Sequence, residues 1–254
     1  MNRKPRIIAR LDIKNDFVIK GIHLEGLRKV GNPNELAIKY YNEGIDEIIL
    51  MDAVAAYYDR NSLSEIVEST CFNVFVPITV GGGIRKIEDI QIALNSGADK
   101  VAINTQAVKE PNFIKKASEV FGSQCIIGSI DAKKTSNKNW EVYTDNGREP
   151  TGKDVLEWAR ELEFLGAGEI MITSIDQEGT KKGFDIELNI ALSEVLNIPL
   201  ISCGGAGSVN HISELILNTN IDAVALASIL HYDLVKIPEL KKTLNENKGI
   251  NVRL

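Results

Sequence analysis

Apolar and polar positions fall into a repeating two-part pattern along this chain. Short runs of Ile, Val, Leu and Ala alternate with longer stretches whose apolar residues recur every three or four positions. The short runs predict strands covered on both faces. They span residues 6–12, 47–52, 77–80, 100–104, 125–131, 169–174, 199–203 and 223–226. The longer stretches predict helices near residues 33–43, 62–70, 87–96, 111–121, 152–165, 185–196, 208–218 and 236–246. Pro33 and Pro111 suit first helical turns, and Gly44, Gly97 and Gly166 suit helix stops.

Eight strand–helix units in 254 residues predict an α/β fold, a (β/α)8 TIM barrel. A doubly wound open sheet is the rival arrangement. An internal repeat favours the barrel. Gly44-Ile45-Asp46-Glu47 recurs as Gly166-Ala167-Gly168-Glu169, and Gly81-Gly82-Gly83 as Gly204-Gly205-Ala206. Ala102-Ile103-Asn104-Thr105 is echoed by Ala225-Leu226-Ala227-Ser228, and Leu11-Asp12-Ile13-Lys14 by Ile130-Asp131-Ala132-Lys133. Two four-unit halves, about 1–122 and 123–254, close symmetrically into one ring. No Pro/Ser-rich linker divides them, so 1–254 reads as a single domain. Two segments, 13–32 and 132–151, exceed the usual loop length, and such loops often cover substrate.

Composition then narrows the function. Hydrophobic residues make up 44% of the chain, enough for a core. Net charge is −6 with dispersed Lys and Arg, so there is no basic footprint for nucleic acid. Cys71, Cys125 and Cys203 lack paired spacing and read as small core residues of a reduced compartment. His23, His211 and His231 are too scattered to suggest a metal site. No signal-peptide core or membrane-length run is present, which makes the cytoplasm the default expectation.

Asp12 and Asp131 each end an apolar strand, where barrel active sites lie. Strands one and five stand opposite each other in an eight-strand ring. The two carboxylates therefore face one another across the mouth, as an acid and a base acting on one small molecule would. Gly81-Gly82-Gly83 and Gly204-Gly205-Ala206 follow strands three and seven, and Asn104-Thr105 and Ala227-Ser228 end the strands beside them. Backbone amides in such loops can approach an anion. Two cradles half a ring apart suit a ligand with a phosphate at each end. Ser174 to Thr180, with Glu178 and Gly179, suits a phosphate neighbour and a plain capped turn equally, and Lys20 either reaches a phosphate or closes a lid, or is a solvated surface charge. At the other strand ends, Arg6, Glu47, Lys100 and Glu169 form either a ring at the barrel floor or ordinary surface pairs. Arg10 shares the inward parity of Asp12 and must pair with a carboxylate. It is placed to depress the pKa of Asp12 or Asp131, or to bind an anionic substrate group.

Together these residues resemble the cyclase subunit of imidazole glycerol phosphate synthase. The likeness runs from Arg6-Ile7-Ile8-Ala9 to Asn251-Val252-Arg253-Leu254. It includes Lys20-Gly21, Asp52, Val80-Gly81-Gly82-Gly83-Ile84, Gly97-Ala98-Asp99-Lys100-Val101, Phe121-Gly122-Ser123-Gln124, Thr173-Ser174-Ile175-Asp176 and Gly204-Gly205-Ala206-Gly207. The resemblance implies a glutaminase partner docked on the floor near Asp99 and Gln124. It implies a charged gate of Arg6, Glu47, Lys100 and Glu169, and ammonia passing through the barrel. Asp12 and Asp131 match the general acid and base. Lys20, Asp52, Gly82, Gly83, Asn104, Thr105, Thr173, Glu178, Gly179, Cys203, Gly204, Gly205, Ala227 and Ser228 match the substrate- and phosphate-binding set. No metal or organic cofactor is implied. Departures gather at the mouth: Arg10 for Cys, Ala53-Val54-Ala55-Ala56 for Ile-Thr-Ala-Ser, Glu178 for Asp and Cys203 for Ser. They keep open a cyclase-like relative from surface-sugar clusters, which passes ammonia to a third protein. A partner-independent isomerase of the same pathway fits the motifs less well.

Overall fold

The computed structural model describes residues 4–55, 63–136, 139–247 and 249–253. Its frame is a closed ring of eight parallel strands: β1 (Arg6–Lys14), β4 (Glu47–Asp52), β5 (Ile78–Gly81), β6 (Lys100–Ile103), β7 (Ile126–Ser136), β10 (Glu169–Ser174), β11 (Leu200–Cys203) and β12 (Ala223–Leu226). They neighbour one another in chain order, and β12 pairs β1 to close the ring. The structure thus has the expected (β/α)8 architecture, and the rival open sheet is excluded. β1 and β7 lie four strands apart, on opposite walls.

Helices cover the ring: α1 (Pro33–Asn42), α2 (Ser64–Asn73), α3 (Ile87–Asn95), α4 (Thr105–Lys109), α5 (Asn112–Phe121), α6 (Val155–Phe164), α7 (Ile186–Val195), α8 (Val209–Asn218), α9 (Ser228–His231) and α10 (Ile237–Glu246). Ser62, the expected start of the second helix, lies outside the described residues. Local chemistry sets the helix ends. Asn32, Asp154, Asp185 and Ser208 accept hydrogen bonds from the first turns of α1, α6, α7 and α8. Gly44, Gly97 and Gly166 stop α1, α3 and α6 at φ of 86°, 106° and 101°. In each case the next residue donates back to the helix, as Ile45 N does to Tyr40 O.

Two cores result, because barrel strands are buried on both faces. Outward residues such as Ile7, Leu11, Ile48, Val101 and Ile170 meet the helices. Inward residues Ile8, Ile49, Ala102, Ile127, Met171 and Ile201 fill the ring. Cys203 is buried here, whereas Cys71 and Cys125 are only half-buried.

The long segments differ from the expectation of loops. β2 (Phe17–Ile22) and β3 (Glu25–Gly31) form an antiparallel hairpin that continues β1. β8 (Asn139–Thr144) and β9 (Glu149–Asp154) do the same beside β7. Both rise from the C-terminal ends of opposite strands and overhang the mouth.

Candidate active site

Asp12 and Asp131 sit high on opposite walls of the barrel, both buried. Their surroundings are unequal. Burial pushes Asp12 up, but Arg10 and Lys20 outweigh it and hold its carboxyl below the ordinary range. Arg10 Nε donates to Asp12 Oδ1 at 2.9 Å, and Lys20 Nζ stands 3.5 Å from Oδ2. Among the described residues Asp131 has no such direct partner cation. It accepts from Asn104 Nδ2 at 3.1 Å. Burial dominates there and the negative charge of Asp12 adds to it, so Asp131 is pushed up to about 6 despite Arg10. One carboxyl is thus held as an anion and the other is ready to carry a proton near neutrality.

Beside Asp131 lies a cavity of about 110 Å3 lined by Asn104, Thr105, Gly82, Gly83 and Arg10 among others. Gly82 has φ of 89°, and a Cβ there would lie 2.3 Å from the carbonyl oxygen of Asp52. Only glycine lets the loop pass this close to the neighbouring strand end. Asp52 in turn accepts from Val54 N at 2.9 Å, tying down its own loop. Ala56 lies outside the described residues. Thr105 opens α4, and its hydroxyl accepts from Asp145 N, in the turn between β8 and β9, at 3.1 Å. This half presents a space bordered by glycines, a hydroxyl and a carboxyl.

The second cradle is built alike but is closed. Gly204 and Gly205 have φ of 99° and 107°, and Ser228 opens α9. The space between them is only about 10 Å3. Lys20, from the β2–β3 hairpin, closes it by pairing with Glu178. Burial lowers the Lys20 pKa, which Asp12 opposes. His23 N also donates to Glu178 O at 2.8 Å, docking the hairpin on the loop after β10. Gly179 and Ser228 reach a larger groove of about 690 Å3 on the hairpin's outer side, with Arg28, Lys29 and Lys181 on its walls.

At the floor, the four charged strand-start residues meet. Arg6 bonds Glu47 and Glu169, each at 2.8 Å, and Lys100 lies 2.6 Å from Glu169 and 3.5 Å from Glu47. Burial pushes Glu169 up, but its bonds to Arg6 and Lys100 prevail and keep it ionised. The ring closes the apolar interior from below and resolves the choice between a ring and surface pairs.

This geometry converges with the comparisons. The family model described as histidine biosynthesis protein matches residues 6–236. The chain belongs to that family. It is also 61% identical to the imidazole glycerol phosphate synthase subunit HisF of Legionella pneumophila, over 80% of this chain and 96% of that protein.

Within this family member, several expected site residues have partners that the sequence did not reveal. Thr173 is fully buried and accepts from Arg10 Nη1 at 2.8 Å, and Cys203 Sγ lies 3.3 Å from the same atom. Neither borders the open cavity. Ala227 lines the closed cradle. Gln124 is exposed on the floor side, just before β7. Asp99 is exposed there too, and accepts from Ile78 N at 2.8 Å. Asp46 and Asp222 accept from Ile7 N and Leu200 N in the same way. Asp99 therefore has a structural task, joining neighbouring strand starts. Ser129, Asp145 and Asn146 also line the open cavity. Ser129 was detectable, since it lies two residues before Asp131 on the same face. Asp145 and Asn146 come from the β8–β9 turn.

Proposed function

We propose that this chain is the cyclase subunit of imidazole glycerol phosphate synthase, a lyase of histidine biosynthesis in the cytoplasm. It takes ammonia from a glutaminase partner and uses it on a bis-phosphorylated ribulosyl imidazole-carboxamide ribotide. The products are imidazole glycerol phosphate and aminoimidazole carboxamide ribotide. The observation that carries this reading is the 61% identity to the HisF subunit over nearly all of that protein. The two-phosphate substrate agrees with two glycine cradles half a ring apart.

The unequal carboxyls fit the chemistry. Ammonia adding to a carbonyl requires a proton at the oxygen, and ring closure requires a proton to leave. Asp131, at about 6, is about one-tenth protonated at pH 7 and can supply the first. Asp12, held ionised, accepts the second. Gly82, Gly83, Asn104 and Thr105 hold one phosphate. Gly179, Gly204, Gly205, Ala227 and Ser228 hold the other once the Lys20–Glu178 pair opens. Lys20 then turns to the phosphate.

A partner on the floor is supported by exposed apolar side chains at helix ends on that side. Phe72 is 81% exposed, Phe75 76% and Phe164 88%. Phe72 and Phe75 lie three residues apart at the end of α2, and large apolar side chains exposed together mark interaction surfaces. The ring of Arg6, Glu47, Lys100 and Glu169 lies among them as the ammonia gate, and Asp99 and Gln124 border the same surface.

The Arg10–Asp12 ion pair favours a second reading. In it the barrel only conducts ammonia to a third protein that amidates a sugar, and the carboxylates are idle. Ammonia-driven turnover by the wild type separates the two readings, and Asp12→Asn and Asp131→Asn then test the carboxylates. The cyclase reading expects each variant to fold and to lose about 10²–10⁴-fold in rate. Full activity in either removes that carboxylate from the chemistry.

A further inference from the structure

We propose that Arg10 is a positioning residue that decides which mouth carboxyl acts as the base. The proposal rests on the cyclase reading and adds a division of labour to it. Arg10 lies two residues before Asp12 on the same face of β1 and is only 3% exposed. A guanidinium cannot release its proton in a protein, so a buried one has to be met by anions and acceptors. Its Nε takes Asp12 Oδ1 at 2.9 Å. Its Nη1 is shared between Thr173 Oγ1 on β10 and Cys203 Sγ on β11. The planar fork is therefore fixed across three strands, and it fixes the carboxylate it holds.

The charged and titratable groups around Asp12 come from every neighbouring element. Lys20 approaches from β2, but it also pairs with Glu178 from the loop after β10. His231 approaches from α9, and burial lowers it to about 4, so it is neutral at physiological pH. Cys203 reaches the group through Arg10, and Asp131 adds a negative charge from β7. Lys20 is thus divided between two carboxylates and sits on the hairpin that closes the second cradle. Arg10 sits on the barrel wall, and among the described residues its direct carboxylate bond is to Asp12. It keeps Asp12 ionised whether or not the hairpin is docked. Asp131 feels Arg10 only through space and stays the proton carrier.

The test uses the whole chain with Arg10→Gln and Arg10→Lys. One readout is the pH dependence of kcat/KM for ammonia-driven turnover of the ribulosyl bis-phosphate. The other is the 13C carboxyl titration of Asp12 by NMR, with its signal assigned from Asp12→Asn. Arg10→Gln is expected to raise both the acidic limb and the Asp12 titration by about 1–3 pH units. Arg10→Lys restores the charge, so both should return towards wild type. Its lower kcat should reflect the lost fork to Thr173. An Asp12 titration unmoved in Arg10→Gln overturns the proposal whatever the turnover. The titration needs no turnover. An inactive wild type whose Asp12 still moves therefore fails the cyclase reading alone. If Arg10→Gln does not fold, Thr173→Val keeps the charge and removes an anchor. It is expected to lower kcat with the limb unmoved, and a wild-type kcat overturns the proposal.

Discussion

Replacing Asp131 with Asn should make the protein more stable as pH rises while removing activity. Asp131 is buried, and burial is the main reason its carboxyl titrates near 6 and not at the ordinary 3.8. The folded state then holds this proton more tightly than the unfolded chain does. The contribution of Asp131 is least unfavourable below pH 4, worsens as pH climbs through 6, and levels off above 7. The full penalty is about 3 kcal/mol, and about half of it is present at pH 5. Asp131→Asn carries no such penalty. Asn104 Nδ2 donates to both Asp131 Oδ2 and Tyr143 O. Its own Oδ1 is buried without a partner among the described residues and can take the new amide. The stability gap between variant and wild type should therefore widen by about 1.4 kcal/mol between pH 5 and pH 8. For a chain of this size that is roughly 3–6 °C in Tm. Paired urea and thermal unfolding of both proteins at the two pH values measures it. A gap that stays constant or narrows refutes the assignment of Asp131 as a desolvated carboxyl.

Other predictions are more local. Gly82→Ala puts a Cβ against the Asp52 carbonyl at a positive φ. It should cost about 1–3 kcal/mol and raise KM for the bis-phosphate, and an unchanged KM contradicts a phosphate role for this loop. Glu169→Gln removes the carboxylate that bridges Arg6 and Lys100. Glutamine-driven turnover should fall further than ammonia-driven turnover, and equal falls count against a gate. Asp185→Ala removes the α7 cap and the acceptor of Trp140 Nε1 at 2.8 Å. A loss of about 1–3 kcal/mol is expected in urea unfolding, and an unchanged midpoint contradicts it.

The barrel was legible because its strands carry their own punctuation. Seven of the eight apolar runs end at or just before a polar or glycine residue, and Gly44, Gly97 and Gly166 stop helices where a positive φ is required. The first hairpin was hidden for a comparable reason. Its tight turn places His23 and Leu24 at φ of 52° and 62°, with no Asn-Gly signal. The second was readable in hindsight, since residues 140–144 alternate in burial and Asp145-Asn146-Gly147 is a strong turn signal. Strand parity revealed the opposed carboxylates, and the repeat revealed the paired glycine loops. The Lys20–Glu178 pair joins residues 158 positions apart through a hairpin that was not anticipated. Arg10 was expected to find a carboxylate, but its bonds to Thr173 and Cys203 depend on three strands meeting at one level. Local pattern carries no such information.

The most direct test gives the purified chain the bis-phosphorylated ribulosyl intermediate with excess ammonium salt at alkaline pH. Ammonia in solution bypasses the partner, so the barrel alone is assayed. The cyclase account predicts steady formation of imidazole glycerol phosphate. No product from folded protein, beside an active control cyclase, contradicts it and leaves the ammonia conduit as the better account.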